Sequence, residues 1–146
     1  MKIGISNDHA AVELKYAIIK YLESKGYEVI NYGTDSLENY DYPLAGKIIG
    51  EAVRDKKVDC GIAICGTGIG ISLAANKVKG IRAACVSEPV SASLTKSHNH
   101  ANIICFGARI VGEEMAKAIV DAWLETPFDE GERHLKRVKM IMDIEK

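Results

Sequence analysis

The sequence lacks the features that mark several broad functional classes. Its 146 residues carry a formal net charge of −1, so no overall field attracts nucleic acid or an anionic membrane surface. No apolar run approaches the roughly 20 residues that a membrane span needs. The N-terminus enters a strand pattern at Lys2 with no signal-peptide layout, so we expect a cytoplasmic location. Neither a nucleic-acid partner nor a membrane partner is predicted.

The cysteines lack the spacing of a metal site or a redox motif. The chain contains Cys60, Cys65, Cys85 and Cys105, with neither a CxxC pair nor a Cys/His pattern typical of zinc. We therefore expect no metal and, in a cytoplasmic protein, no disulfide. All except Cys65 lie inside apolar strand-like runs, where a cysteine is usually a small buried hydrophobic residue.

Strand-like and helix-like segments alternate along the chain. Strands are predicted at residues 3–6, 27–31, 58–64, 81–86 and 102–106. Helical spacing of apolar residues follows each of them, and a charged final helix is predicted at 130–145. Such alternation is typical of βαβ units and of a parallel sheet covered on both faces.

The sequence therefore predicts a single α/β domain of 146 residues. Its core, residues 1–125, should be a doubly wound, Rossmann- or flavodoxin-like sheet of five parallel strands. Residues 126–146 should form a C-terminal helical extension with a short tail.

The most informative segment is the glycine-rich turn Cys65-Gly66-Thr67-Gly68-Ile69-Gly70, which lies between a predicted strand and a predicted helix. Unpaired N–H groups and the positive end of the helix dipole meet there, so the turn can bind an anion and favour a thiolate at Cys65. It matches neither the dinucleotide fingerprint G-x-G-x-x-G nor a Walker A loop. Ile71 stands where a cysteine phosphatase loop needs arginine, which argues against phosphoryl transfer to the thiol.

Polar groups follow four of the predicted strands. They are Asn7-Asp8-His9, the glycine-rich turn, Ser87-Glu88 and Gly107-Ala108-Arg109. Ligands of open parallel sheets bind beyond the carboxyl ends of the strands, so these groups predict an active site for a small anionic substrate. Asp8 also suits the N-cap of the first helix, and the sequence leaves both roles open.

Two further groups have a structural and a functional interpretation. His98-Asn99-His100 follows the fourth predicted helix and should lie at the opposite edge of the sheet from Cys65. It is either structural, as a helix cap, or it reaches the active site of a neighbouring subunit. Arg133 and Arg137 share a helix face, which is either a solvated basic face or a bidentate phosphate clamp.

Together these residues resemble the ribose-5-phosphate isomerase B family, whose relatives include the galactose-6-phosphate isomerase subunits. The resemblance covers essentially the whole chain. The matching residues are Asn7-Asp8-His9, Asp41-Tyr42-Pro43, the run from Cys65 to Ser72, Ala74-Ala75-Asn76-Lys77, Gly80-Ile81-Arg82-Ala83, Ser87-Glu88-Pro89, His98-Asn99, Asn102, Phe106-Gly107-Ala108-Arg109, and Arg133-His134 with Arg137.

The resemblance implies interconversion of ribose 5-phosphate and ribulose 5-phosphate in the pentose phosphate pathway, without metal or organic cofactor. In such an isomerase Cys65 is the base that moves a proton between C2 and C1, and Thr67 assists it. The implied site holds a cis-enediolate oxygen on the backbone N–H groups from Gly66 to Gly70, with Gly66, Gly68, Ile69 and Gly70 as substrate-binding residues. Some members carry a glutamate base inside the turn, but Ile69 occupies that position here.

The resemblance also implies the remaining roles. His98, with Asp8 nearby, opens the furanose ring. The phosphate is held by His9, Arg109, Arg133 and Arg137. Sugar hydroxyls are contacted by Tyr42 and Asn99.

The expected position of His98 suits a homodimer with active sites shared between subunits, or a tetramer built from such dimers. The sequence leaves open whether allose or galactose 6-phosphate or an unphosphorylated aldose is preferred to ribose 5-phosphate. A different class of function, a non-catalytic module that binds a phosphorylated ligand, is also compatible with the fold.

Overall fold

Five short apolar runs form one parallel sheet. In the computed structural model, which describes Met1–Lys146, the strands are β1 (Lys2–Asn7), β2 (Glu28–Asn31), β3 (Cys60–Cys65), β4 (Ala83–Cys85) and β5 (Ile103–Gly107). Their order is β2-β1-β3-β5-β4, and every neighbouring pair is parallel. The predicted doubly wound sheet is confirmed, with the last two strands exchanged relative to the flavodoxin-like order 2-1-3-4-5. Burial explains this exchange, because a strand inside the sheet is covered more fully than a strand at its edge. The inner strand β5 is buried along its whole length, whereas the short edge strand β4 ends in an exposed residue.

Six helices cover or extend the sheet. They are α1 (Val12–Ser24), α2 (Tyr42–Arg54), α3 (Ile69–Asn76), α4 (Pro89–Asn99), α5 (Glu113–Glu125) and α6 (Glu132–Asp143). The core between α1, α4, α5 and one sheet face includes Phe106 and Trp123, and the core under α2 and α3 includes Ile49 and Ile103. Burial of apolar side chains on both faces is the main stabilising term of such a sheet. None of the helices combines the length and apolar character needed to cross a membrane.

Local signals in the sequence set the ends of the first helix. The Asp8 carboxylate accepts the Ala10 N–H at 3.0 Å and caps a 3₁₀ turn, His9–Ala11, that leads directly into α1. Gly26, at φ +91°, follows the last turn of α1 in the left-handed conformation that ends many helices. The predicted N-cap role of Asp8 is confirmed.

A buried lysine attaches the loop at residues 33–41 to α1. The Lys15 side chain is fully buried, and its Nζ donates to the Thr34 carbonyl at 2.6 Å and to Asp35 Oδ1 at 2.5 Å. The hydrogen bond from Lys15 holds the pKa of the Asp35 carboxyl well below its ordinary value of 3.8. The loop is therefore fixed to the helix that follows β1.

Substitution Asp35→Asn tests this attachment. Because the pKa of Asp35 is lowered on folding, its ionised form stabilises the protein above the ordinary value near 3.8, and this contribution is lost as pH falls below that value. In urea titrations the wild type should therefore exceed the variant in unfolding free energy at pH 7, and the difference should shrink between pH 5 and pH 3. Glu38→Gln, in the same loop but paired with no cation, is the control and should show no such trend. A difference for Asp35→Asn that stays constant over this range would contradict the assignment.

Candidate functional site

The strand order brings three strand ends together. β3 lies between β1 and β5, with Asn7 opposite Ile64 on one side and Cys65 opposite Gly107 on the other. The residues that follow β1 and β5 therefore flank the glycine-rich turn that follows β3. The chain reverses its direction of progress through the sheet between β1 and β3, and such switch points are where open α/β sheets bind ligands.

The turn after β3 combines a buried thiol with free backbone donors. Cys65 is 3% exposed, and its Sγ accepts the Gly68 N–H at 3.1 Å. The Thr67 hydroxyl accepts the Ile69 N–H at 3.2 Å. Of the N–H groups from Gly66 to Gly70, which are expected to hold an oxyanion, those of Gly68 and Ile69 are thus bonded within the turn, whereas those of Gly66, Thr67 and Gly70 donate to no acceptor in the chain. Gly70 lies in the first turn of α3, where an anion is favoured, and Gly66 lies directly after β3.

Close backbone packing explains why the turn needs glycine. Gly68 has φ +80°, and a Cβ there would lie 2.6 Å from the carbonyl carbon of Phe106. A Cβ on Gly107 would in turn lie 2.5 Å from the backbone of Thr67. The turn therefore rests directly on the backbone of β5, and no side chain fits between them.

His9 lies on the β1 side of the turn. It is half-buried, and its Nδ1 accepts the Tyr40 N–H at 3.0 Å. The same Nδ1 lies 3.3 Å from the Tyr40 carbonyl oxygen, but the shorter contact is to the N–H, so we assign Nδ1 as acceptor and place the proton of the neutral ring on Nε2, where it can be donated to a ligand. The neighbouring Asp8 is buried and engaged as the helix cap.

Arg109 and Tyr42 contact the turn itself. A Cβ on Gly66 would lie 3.2 Å from Arg109 Nη1, so the guanidinium lies against the turn's backbone. A Cβ on Gly70 would lie 2.5 Å from Cε1 of the Tyr42 ring. A cation and a phenol therefore border the free N–H groups, as expected for a site that takes an anionic, hydroxyl-rich ligand.

His98 and its neighbours form a second group at the far end of α4. Glu88, at the start of this helix, lines a pocket together with Thr67, and α4 then runs for eleven residues, a length of about 16 Å. At its other end the His98 ring stacks on His134, with centroids 4.6 Å apart and planes inclined by 9°.

The arginines of α6 lie next to this second group. Arg133 Nη2 is 3.5 Å from His134 Nε2, and Arg133 and Arg137 line one shallow pocket. One chain therefore carries two groups of candidate site residues at opposite edges of the sheet, which we name half-sites. The first contains Asp8, His9, Tyr42, the turn from Cys65 to Gly70, and Arg109. The second contains His98, Asn99, Arg133 and Arg137.

One prediction about the cysteines is wrong. Cys85 is exposed rather than buried, because it is the last residue of the short edge strand β4. Its Sγ lies 3.8 Å from the Thr67 carbonyl oxygen, close to the turn. Cys60 and Cys105 are buried as predicted, and burial raises the pKa of the Cys60 thiol to about 11. Any thiol chemistry assigned to Cys65 must therefore be separated from that of Cys85.

Two residues near the site were named from the sequence but received no role of their own. His134 belongs to a matching segment but carries no assigned role, and its stack on His98 depends on how the chain folds back. Asn7 is fully buried and its Oδ1 has no hydrogen-bond partner, while its Nδ2 donates to the Thr34 carbonyl at 3.1 Å. No sequence pattern signals either contact, since both join segments far apart along the chain.

Known proteins resemble this chain over nearly its whole length. The sequence pattern of the family described as Ribose/Galactose Isomerase matches residues 3–141. Ribose-5-phosphate isomerase B of Escherichia coli (strain K12) is 51% identical over 144 residues, which cover 99% of this chain and 96% of that protein. D-erythrulose-4-phosphate isomerase of Pectobacterium atrosepticum is 43% identical over 132 residues, which cover 90% of this chain and 87% of that protein. The solved structure of Clostridium thermocellum ribose-5-phosphate isomerase B matches with a TM-score of 0.97 at 50% identity, covering 99% of this chain and 97% of that one.

Substitution Gly68→Ala tests the packing of the turn. Gly26→Ala is the matched control, because Gly26 has a similar φ of +91° but no atom within 4 Å of a built Cβ. The control should lose about 1 kcal/mol of unfolding free energy through backbone strain alone. Gly68→Ala should lose at least about 1 kcal/mol more, because its methyl group meets the β5 backbone. Equal losses in urea unfolding would contradict the close packing described here.

Proposed function

The chain belongs to the ribose/galactose isomerase family, and on this basis we propose that it interconverts ribose 5-phosphate and ribulose 5-phosphate through a cis-enediolate. The observation that carries the proposal is the buried Cys65 thiol beside free N–H donors and the Arg109 cation, at the switch point of the sheet. The reaction needs a base and an oxyanion site within one turn, and these residues can supply both.

Cys65 is the proposed base. The Gly68 N–H at 3.1 Å and the N-terminus of α3 stabilise negative charge on its sulfur. The thiolate takes the C2 proton of the open-chain aldose, and the resulting thiol returns a proton to C1 to form the ketose. The Thr67 hydroxyl, at the same turn, is proposed to move the hydroxyl proton between O1 and O2.

The enediolate oxygens carry the charge that develops between these two proton transfers. We assign their stabilisation to the N–H groups of Gly66 and Gly70, which have no acceptor in the chain. Fixed donors directed at a developing oxyanion are typically the largest single contribution to catalysis in such sites. Gly68 has a different role, because its N–H already contacts the sulfur.

A second copy of the chain is proposed to complete the site. His98 lies about one length of α4 from the turn, too far to reach a sugar held at Cys65 in the same chain. Apolar side chains are exposed beside both half-sites, at Ile69 and Leu73 on α3 and at Met140 and Ile141 on α6. A two-fold symmetric dimer would cover such surfaces and unite each Cys65 with the partner's ring-opening group. Pairs of these dimers could form a tetramer.

Within such a dimer the phosphate would meet four cationic or donor side chains. His9 and Arg109 belong to the half-site at the turn, and Arg133 and Arg137 to the half-site on α6. Charge-assisted hydrogen bonds of this kind hold the substrate far from the reacting carbons, and this binding energy can orient it. Tyr42 and Asn99 are proposed to contact sugar hydroxyls, and Asp8 to lie near the partner's His98. The four unpaired cysteines fit the reducing environment of a cytoplasmic protein of pentose phosphate metabolism.

The sugar itself is the part of the proposal that rests on relatives. The Escherichia coli relative acts, by its name, on ribose 5-phosphate, and the relative of 43% identity on D-erythrulose 4-phosphate. We favour ribose 5-phosphate because the Escherichia coli relative of that name is 51% identical over 99% of this chain, whereas the erythrulose-phosphate relative is 43% identical over 90% of it.

Proton NMR of ribose 5-phosphate in heavy water tests the reaction and its base together. The wild type should yield ribulose 5-phosphate with deuterium at C1. Cys65→Ser should lose at least about 100-fold in rate, the lower range for a general base, while inorganic phosphate still binds. Cys85→Ser, which removes the exposed thiol at the same edge, is the matched control and should stay within about twofold of wild type.

Each other outcome has a definite meaning. Wild-type rates in Cys65→Ser would remove Cys65 as the base. If the wild type binds phosphate but gives neither ribulose 5-phosphate nor proton exchange, allose 6-phosphate and galactose 6-phosphate should be tested as substrates. If these sugars are not converted either, the protein is better described as a non-catalytic module that binds a phosphorylated ligand.

A further inference from the structure

The segment between α5 and α6 folds back onto the last turn of α4. The Asp129 N–H donates to the Ser97 carbonyl at 3.0 Å. The Asp129 carboxylate accepts the Gly131 N–H at 2.9 Å, and the Gly131 carbonyl accepts the His134 N–H at 3.0 Å. A continuous chain of hydrogen bonds therefore connects α4, near His98, to the first turn of α6.

Two pairs of rings stack across this junction. His134 stacks on His98 with centroids 4.6 Å apart, and Phe128 stacks on His100 with centroids 4.4 Å apart. In both pairs the planes are within 10° of parallel, at 9° and 7°. His100 ends α4 in the left-handed conformation, at φ +52°, and its ring stacks on a different partner from that of His98.

Within each pair the two rings differ in exposure. On α6, His134 is only 6% exposed, whereas Arg133 and Arg137 on either side of it are exposed. The His134 Nε2 lies 3.5 Å from Asp129 Oδ2, so a carboxylate lies beside the buried ring. The His98 side chain is exposed and has no hydrogen bond of its own. A solvent-exposed side chain held by nothing samples several rotamers, so the buried ring is what restricts it.

We propose that His134, held by its burial and by the backbone hydrogen bond of its N–H to Gly131, is a positioning residue that fixes the ring of His98 for opening the sugar ring. The inference rests on the proposed function, in which His98 performs this step. Ring opening breaks the C1–O4 bond of the furanose, as O1 loses its proton and O4 gains one. A single imidazole can mediate both transfers only if its ring is held in the plane of these atoms, and a flat stacked platform provides that restraint.

Ribulose 5-phosphate provides a substrate that bypasses this step. Its O5 carries the phosphate, so the ketose cannot close a furanose ring and binds in open-chain form. Exchange of its C1 proton with heavy water needs only the proton transfer at Cys65. Conversion of ribose 5-phosphate needs ring opening as well, so the ratio of the two rates isolates the role of His98.

The test compares these two rates in His134→Ala and His134→Phe. The alanine variant should convert ribose 5-phosphate about 10- to 100-fold more slowly than wild type, while C1 exchange of ribulose 5-phosphate changes less than about threefold. The phenylalanine variant keeps a flat ring under His98 and should restore ribose 5-phosphate conversion to within about threefold of wild type. Phe128→Ala, which removes the neighbouring stack on His100, should leave the ratio of the two rates unchanged.

Other results would overturn the inference. An equal loss of both rates in His134→Ala would show a general structural role. An alanine variant that keeps both rates, or a phenylalanine variant as defective as alanine, would exclude positioning through the stack. A wild type that exchanges no C1 proton would contradict the proposed isomerase itself, which is a different failure.

Discussion

The position of β3 between β1 and β5 is the constraint on which the candidate site depends. Parallel strands end at the same edge of a sheet, so Cys65 is flanked by the residues that follow its two neighbours. The backbone of the turn then packs directly on the backbone of β5, at Gly68 and Gly107. This packing leaves the Cys65 sulfur buried, and it fixes the N–H groups of the turn where α3 begins. A side chain at either glycine would separate the turn from the strand and displace both features together.

The same sheet explains why the candidate site residues of one chain fall into two separated groups. A helix that follows a parallel strand returns to the opposite edge, so the end of α4 is necessarily remote from Cys65. The second half-site is itself well organised, with the exposed His98 stacked on the buried His134 and α6 tied to α4 through Asp129. Organisation of this kind at an exposed edge supports a role toward a partner, since a helix cap needs neither a stacked ring nor adjacent arginines.

The parts of the site that the sequence could predict are those that depend on local order. The glycine-rich turn, the Asp8 cap and the end of α1 at Gly26 each follow from residues a few positions apart. The sequence also indicates the inner position of β5, because the residues of β5 are more apolar than those of β4. This indication is not sufficient on its own, since strand order depends on burial across the whole sheet. The exposure of Cys85 follows from that order, which is why it was missed. Contacts such as Lys15 with Asp35 join segments through the folded loop and have no periodic signature.

The proposal that two chains share each site is tested most directly by mixing two variants expected to be inactive, Cys65→Ser and His98→Gln, under conditions where subunits exchange. In a two-fold dimer with shared sites, each hybrid contains one site with both residues intact. Because half of randomly exchanged dimers are hybrids, the mixture should recover about a quarter of wild-type activity on ribose 5-phosphate. Hybrid dimers demonstrated by native mass spectrometry but without recovered activity would contradict a site built from two chains.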